Sequence, residues 1–433
     1  MNKISIFIKY SLSVIASLFM ITGCVEKYEA DLPSGADQLL VVNGTICSNQ
    51  YNKFQLTWSK ALEDAPYTSD NPLPVVGAKV TICGTDGTKY ECTEYYDSYY
   101  TEKNDDSEEY YDGEEYYDGE ENKNRVVYVN TYGYYTCELP ELNPNVSYYL
   151  TIKYGKDTYQ STPEKPIRTP DIDTLEYFQK DSLSNVEVLL TTAAPDNPEE
   201  TSYYTWDYSE TWEVRPTRTT YIYFNVNTME MEGLPKEKMY PKRGWKFDYN
   251  KRILTESTVN YAGGKFSKYQ ILNIPRDDER VIWCYCNEVR QRAISKAEYE
   301  YDIACRQAGW EMGGLFTPQP SALPSNIRCL TSSKRAIGYI GCSQNYATKR
   351  VYVEGTKISR ILPKPGESIK LDKCSESDCA NMVYNDWVLY EWVDTRLAPT
   401  GKLTTIWGLP EDFDVRLHGA TIDKPDYMPP FDN

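Results

Sequence analysis

Short runs rich in Tyr, Thr and Val, broken roughly every 8–12 residues by Gly, Pro, Asn or Asp, narrow the fold of this chain most. QLLVVNGTIC, FQLTWSK, AKVTIC, TKYECTEY, RVVYVNTYGYYTCEL, SYYLTIKY and DTYQST follow one another between residues 38 and 162. Their period is that of a strand, with neighbouring side chains on opposite faces, and the Gly-Thr-Asp-Gly after AKVTIC is a turn signal. The 40 Tyr favour pleated, half-buried surfaces. With 433 residues, 9 Trp and 40% hydrophobic side chains, the chain can build cores for two or three domains. A net charge of −18 without a basic patch excludes nucleic-acid binding.

The expected class is mainly β. Residues 38–165 read as an N-terminal β-sandwich. VGAKVTI from Val76, Gly133-Tyr134-Tyr135 and LNPNVSYYLTIKYG resemble the immunoglobulin-like or prealbumin-like modules of surface proteins, which implies a structural or binding role. An acidic insertion, 94–124, interrupts this module and contains EEYYDGEEYYDGEE. From Glu91 to Asn124 there are 14 acidic and 2 basic residues, a net of −12. Like charges without aliphatic residues point to a solvated loop. EEYYDG also lacks the alternating ligand spacing of an EF-hand calcium loop.

Three prolines within eight residues, Pro163, Pro166 and Pro170, mark a stiff boundary. From 172 to 433 strands resume, and a larger β-sandwich or a partly open barrel with one helix would suit them. In SYYTWDYSETWEV, alternation sets Tyr204, Trp206, Tyr208 and Glu210 on one face, as in a barrel wall or ligand groove. The helix is expected over 296–308. Ser295 and Glu298 make a capping box, Ala297, Tyr301, Ala304 and Ala308 recur at helical spacing, and Gly309 can end it. AIGYIGCSQNYATKRVYVEG reads as a hairpin-like strand pair.

The N-terminus carries Lys3 and Lys9, then an apolar run from Ser11 to Ile21, the pattern of an export signal over 1–23. Ile21-Thr22-Gly23-Cys24 resembles a bacterial lipobox, which implies cleavage before Cys24 and lipidation of its thiol. Residues 24–37 would be a flexible tether, in which Glu26 and Glu29 loosely fit a surface-export signal. Export permits disulfides, and Cys374 and Cys379 are the candidate local pair. Neither this spacing nor Cys284-Tyr-Cys286 fits a zinc site, so no metal is expected.

No catalytic constellation stands out. His418 is the single histidine, and G-x-S-x-G, Walker and Rossmann motifs are absent from the sequence, so neither an enzyme nor a cofactor is expected. Aromatic platforms are the other route to a ligand. Trp387, Trp392 and Trp407 rank first because they follow the late cysteines near the last strands.

In order, ITGC, LLVVNGTI, VVGAKVTI, GYYTCELPELNPNVSYYLTIKYGKDTYQSTP, Pro-Asp-Ile-Asp-Thr-Leu, EYEYDIACRQAGWEMGGLFTPQPSALPSNIRC, AIGYIGCS and Cys374…Cys379 before Trp387 resemble one family. It is the domain of unknown function 4249 family of Bacteroidetes outer-membrane lipoproteins. The four residues between Cys374 and Cys379 depart from its CxDC-like form. The resemblance implies an outer-membrane, lipid-anchored protein facing the cell surface. It would be the accessory or substrate-capture partner of a TonB-dependent, SusC-like transporter in nutrient uptake. Its ligand would be a peptide, a glycan or a metal chelate, and the family carries no catalytic residues. The alternative is a stand-alone surface adhesin or structural lipoprotein. Asp173-Thr174-Leu175 and Asp181-Ser182-Leu183 resemble the O-glycosylation motif of these bacteria.

Overall fold

The structure, a computed structural model, describes residues 39–59, 73–102, 114–117, 125–198, 201–311, 323–396 and 402–429. Cys24 and the tether 24–37 lie outside the described residues. The fold is mainly β, and no described helix is long and apolar enough to cross a membrane.

The first sandwich follows from the alternation. Tyr148–Tyr154 buries Tyr148, Leu150 and Ile152 and turns the intervening residues outward. It pairs with Lys79–Gly84 on one side and Asp157–Ser161 on the other. The facing sheet orders Leu40–Asn43, Tyr51–Trp58, Arg125–Glu138 and Thr93–Glu102. Leu40, Val42, Phe54, Leu56, Val80, Ile82 and Tyr135 fill the space between. Each such aliphatic or phenyl side chain contributes about 1.5–3 kcal/mol by leaving water.

The acidic insertion is not a formless loop. Thr93–Glu102 and Arg125–Glu138 run on as a paired ribbon, and Glu114–Tyr117, from within the repeat, adds beside Arg125–Glu138. Tyr, Thr and Val hold this backbone extended despite the like charges. The ribbon leaves the body at a bulge, where Tyr95 opposes Tyr134 but Tyr96 opposes Thr131. Gly133 makes that step possible. Its φ is 67°, and a Cβ would lie 2.2 Å from the Leu56 carbonyl oxygen.

The second sandwich packs Ile172–Phe178, Val186–Thr192 and Tyr269–Ile274 against a sheet ordered Gly244–Tyr249, Tyr203–Val214, Cys284–Ile294 and Ala347–Glu354. It is not a closed barrel. Tyr204 and Trp206 face its core rather than a groove, with Trp206 packed on Phe266 and Tyr269 and its indole N–H donated to Gln291. A smaller third unit joins Ser368–Asp372, Leu403–Gly408 and Val388–Asp394 to the hairpin Ile222–Asn225/Glu230–Gly233. It also brings a second helix beyond the one expected.

The first sandwich is not completed by residues 38–165 alone. Ile327–Cys329 pairs with Asp157–Ser161, Ala336–Ile337 lies parallel to Leu40–Asn43, and Gly341–Ser343 lies parallel to Thr45–Cys47. The chain then enters the second sandwich as Ala347–Glu354. The expected hairpin over AIGYIGCSQNYATKRVYVEG is therefore replaced by strands serving different sheets. Gly338 allows the first pairing, because a Cβ there would fall 2.0 Å from the Val42 carbonyl oxygen.

Helix α1, Lys296–Glu311, starts where these pieces meet and runs past Gly309. Ser295 caps it through the Glu298 N–H at 3.2 Å. Glu298 does not complete the capping box, because Arg292 draws its carboxylate inward into a buried bidentate pair. Gly341 leaves room for that carboxylate. The linker is stitched on both sides. Glu164 exchanges backbone hydrogen bonds with Tyr148, Ile167 pairs with Cys342 and Gln344, and Thr169 bonds Asn345 and Ala293.

Glu164 and Asp302 sit in this joint with Glu298. Burial, then the Glu298 charge, pushes Asp302 up to about 7. Burial, against the hydrogen bond from Tyr339, also pushes Glu164 up to about 7. A carboxyl raised on folding stabilises fully below its unfolded pKa of about 4, and that contribution is lost as pH rises through the folded value. Two outcomes are expected in urea unfolding. Stability falls by roughly 1–3 kcal/mol per joint carboxyl between about pH 5 and 7.5, and Glu164→Gln removes its share, leaving the variant more stable than the parent at the upper pH. Gly133→Ala costs roughly 2–3 kcal/mol, from its positive φ and the clash with Leu56.

Candidate functional site

Helix α2, Glu376–Tyr384, builds the first candidate site. Ser375 and Asp378 form a full capping box at its start. Its end closes in a Schellman motif, with Asp386 N–H donating to Val383 and Trp387 N–H to Met382, both at 3.0 Å. Asp386 therefore holds φ 61°, where glycine is the usual occupant. The motif turns Trp387 back against the third unit's core, which it half covers.

A groove of about 700 Å³ opens there, lined by Tyr240, Asp386, Trp387, Pro410, Glu411 and Leu417 among others. Among the described residues its charged lining is Asp386 and Glu411, with no basic side chain. Asp412 and Asp414 nearby are taken by Arg218 and Arg416. Two rings and two carboxylates suit a neutral or cationic ligand carrying hydroxyl or amine groups. His418 is exposed, and its Nε2 lies 2.9 Å from the Glu411 carbonyl oxygen.

The groove lies at one end of the body. The strand Cys284–Ile294 spans the second sandwich, roughly 35 Å long for 11 residues. Its Ile294 end meets α1 and the first sandwich. At its Cys284 end the C-terminal segment packs through Trp245, Thr421 and Met428. A second cleft, about 840 Å³, lies at the joint itself. Lys165, Arg168, Asp171, Asp196, Lys296 and Asn345 are among its lining residues, and Arg168 and Asp196 pair at 3.1 Å. Among the described residues no group of His, Cys, Asp and Glu is placed to hold a metal ion.

The sequence candidates separate. Trp387 lines the groove. Trp407 is wholly buried in the third unit's core, its indole N–H satisfied by Thr405 at 2.8 Å. Trp392 is exposed on the strand Val388–Asp394, away from the groove lining. Cys374 and Cys379 are brought together as free thiols, Sγ to Sγ 3.9 Å, where a disulfide bond is about 2.05 Å. Burial, then the neighbouring Cys374, pushes the Cys379 thiol up to about 12. Tyr240, Asp386 and the Glu411–Leu417 segment lie far apart in sequence, and no local signal announced that they share a groove. Asp386→Gly is expected to gain roughly 0.5–1 kcal/mol in denaturant unfolding by relieving the left-handed backbone, while removing one groove carboxylate.

The matching family model is the domain of unknown function (DUF4249), over residues 25–349. No curated protein matches. A solved structure of a DUF4785 family protein from Legionella pneumophila subsp. pneumophila str. Philadelphia 1 is similar at 11% identity and TM-score 0.15, covering 58% of this chain and 52% of that one. This chain thus spans about half of that protein, and the likeness carries no argument. The family match covers well over half of the sequence, with the whole first sandwich core, all of the second but Val351 and Val353, and the strands that return to complete the first; the chain belongs to the DUF4249 family.

Proposed function

We propose that this chain is a surface-exposed outer-membrane lipoprotein that captures a nutrient for a TonB-dependent, SusC-like transporter. The observation that carries the reading is Cys24 at the end of Ile21-Thr22-Gly23, behind a basic start and an apolar run. That run is too short for a membrane span, whereas acyl chains at about 0.8 kcal/mol per buried CH₂ hold a folded body firmly to a bilayer. The chain from Cys24 to Leu39, fifteen residue steps, reaches at most about 54 Å. The first sandwich follows them directly, and the Trp387 groove opens at the other end of the body, where an anchored protein would meet its ligand. That ligand is a glycan or peptide suited to two rings and two carboxylates.

Two measurements test the two halves of this reading. Cys24→Ala is expected to abolish fatty-acid labelling and move the protein from the membrane to the soluble fraction; retention in the membrane would overturn the anchor. Mild detergent extraction of native membranes is expected to co-purify a β-barrel transporter in comparable amount. Extraction without any barrel, together with unchanged nutrient uptake on deletion, would point instead to a stand-alone adhesin.

A further inference from the structure

The cysteines of the first sandwich serve neither cleft, yet two of them are set against each other. The ladder of the acidic ribbon places Thr93 opposite Thr136, and Cys92, just before that strand begins, would meet Cys137 if the register is carried one step toward the body. Facing residues on antiparallel strands have Cα atoms about 4.5–5.5 Å apart, inside the roughly 4.4–6.8 Å that a disulfide spans. Both side chains turn to the same side, with Cys137 inside the sandwich core and Cys92 packed against it. The two side chains are close enough for Cys137 to act, after burial, on the Cys92 thiol. The backbone around them is fixed, because Cys92 N–H donates to Val80 at 2.9 Å and Cys137 pairs with Asn52 on its other side.

Cys374 and Cys379 in the third unit share such closeness, whereas Cys284, Cys286 and Cys342 lack this placement. Cys284 and Cys286 follow one another on a single strand, about 6.6–7 Å apart along it. Cys342 stands opposite Ile46 rather than Cys47.

We propose that Cys92 and Cys137 are a disulfide-forming site that closes the neck of the acidic ribbon. One thiolate of the pair attacks a sulfur of a small-molecule disulfide and expels its other half as a thiolate. The second cysteine thiolate then attacks the mixed disulfide and expels the remaining half. Two cysteine thiols are oxidised, one external disulfide is reduced to two thiols, and the cysteine protons pass to the leaving thiolates. The cross-link spans the whole insertion, so the ribbon stays joined to the body even when its tip is cut. Burial raises both thiols, so exchange quickens as pH rises toward about 9.

This chemistry does not depend on the capture reading, since the test supplies its own oxidant. The full chain is incubated natively with glutathione disulfide, alkylated, digested and mapped by mass spectrometry without reduction. A linked peptide pair containing Cys92 and Cys137, split by dithiothreitol, is the expected result. After brief trypsin treatment that cuts at Lys103 or Lys123, the two fragments are expected to migrate together without reductant and to separate with it. Cys92→Ser is expected to separate them under both conditions. Should that variant misfold, the peptide map of the parent protein decides alone. Both thiols still open to alkylation after oxidation and unfolding, or each linked to a different cysteine, would overturn the proposal.

Discussion

The return of residues 327–354 to both sandwiches is the constraint on which the rest of the structure depends. Three short strands of this segment complete the first sandwich, and the next strand enters the second. Two of the three have partners nearly three hundred residues earlier, as Leu40 with Ala336, and Ile327–Cys329 has its partner about 170 residues earlier. Closing so long a loop costs only slightly more entropy than closing a short one, but the contacts reward it late. The first sandwich therefore reaches its full hydrogen bonding only after most of the chain is made. The family match runs to 349, just inside Ala347–Glu354, and so takes in this return.

The joint is polar where a core would ordinarily be apolar. Arg292 and Glu298 are buried as an ion pair, and Glu164 and Asp302 crowd the same space. A buried pair offers little net stability over well-packed apolar residues, but breaking it leaves an uncompensated charge. Its effect here is on geometry. Arg292 comes from a strand of the second sandwich, Glu298 from α1, and Gly341 from a strand paired with the first sandwich. Only one packing of these three satisfies both charges. The linker adds to this, since Thr169, Gln291 and Asn345 tie it to both sandwiches rather than leaving it free.

Where alternation decided burial, the sequence could be read. Tyr148, Leu150 and Ile152 face the core as their spacing requires, and the Ser295 cap starts α1 where the periodicity begins. What failed to show were interactions between distant segments. Ala336–Ile337 and Gly341–Ser343 lie parallel to strands they never meet locally, so their text looked like a hairpin. The charge of the acidic repeat hid the extended preference of its Tyr and Thr. Trp407 looked like Trp387 by composition, and packing alone separated them, one into a core and one onto a groove. Asp386 was invisible because a left-handed Schellman position is usually announced by glycine.

That last substitution bears on function. Asp386, Trp387, Glu411 and Leu417 of the groove lie beyond residue 349, where the family match ends, whereas Tyr240 lies within it. The sandwiches must keep their joint, because a groove at the far end of a body is displaced by any rotation at its middle. Asp386 accepts the strain of a left-handed residue and sets a carboxylate beside Trp387. In the proposed lipoprotein, a tether of limited reach would confine that groove near its anchor and raise its effective concentration at the proposed transporter, in the way a linker does between two binding modules.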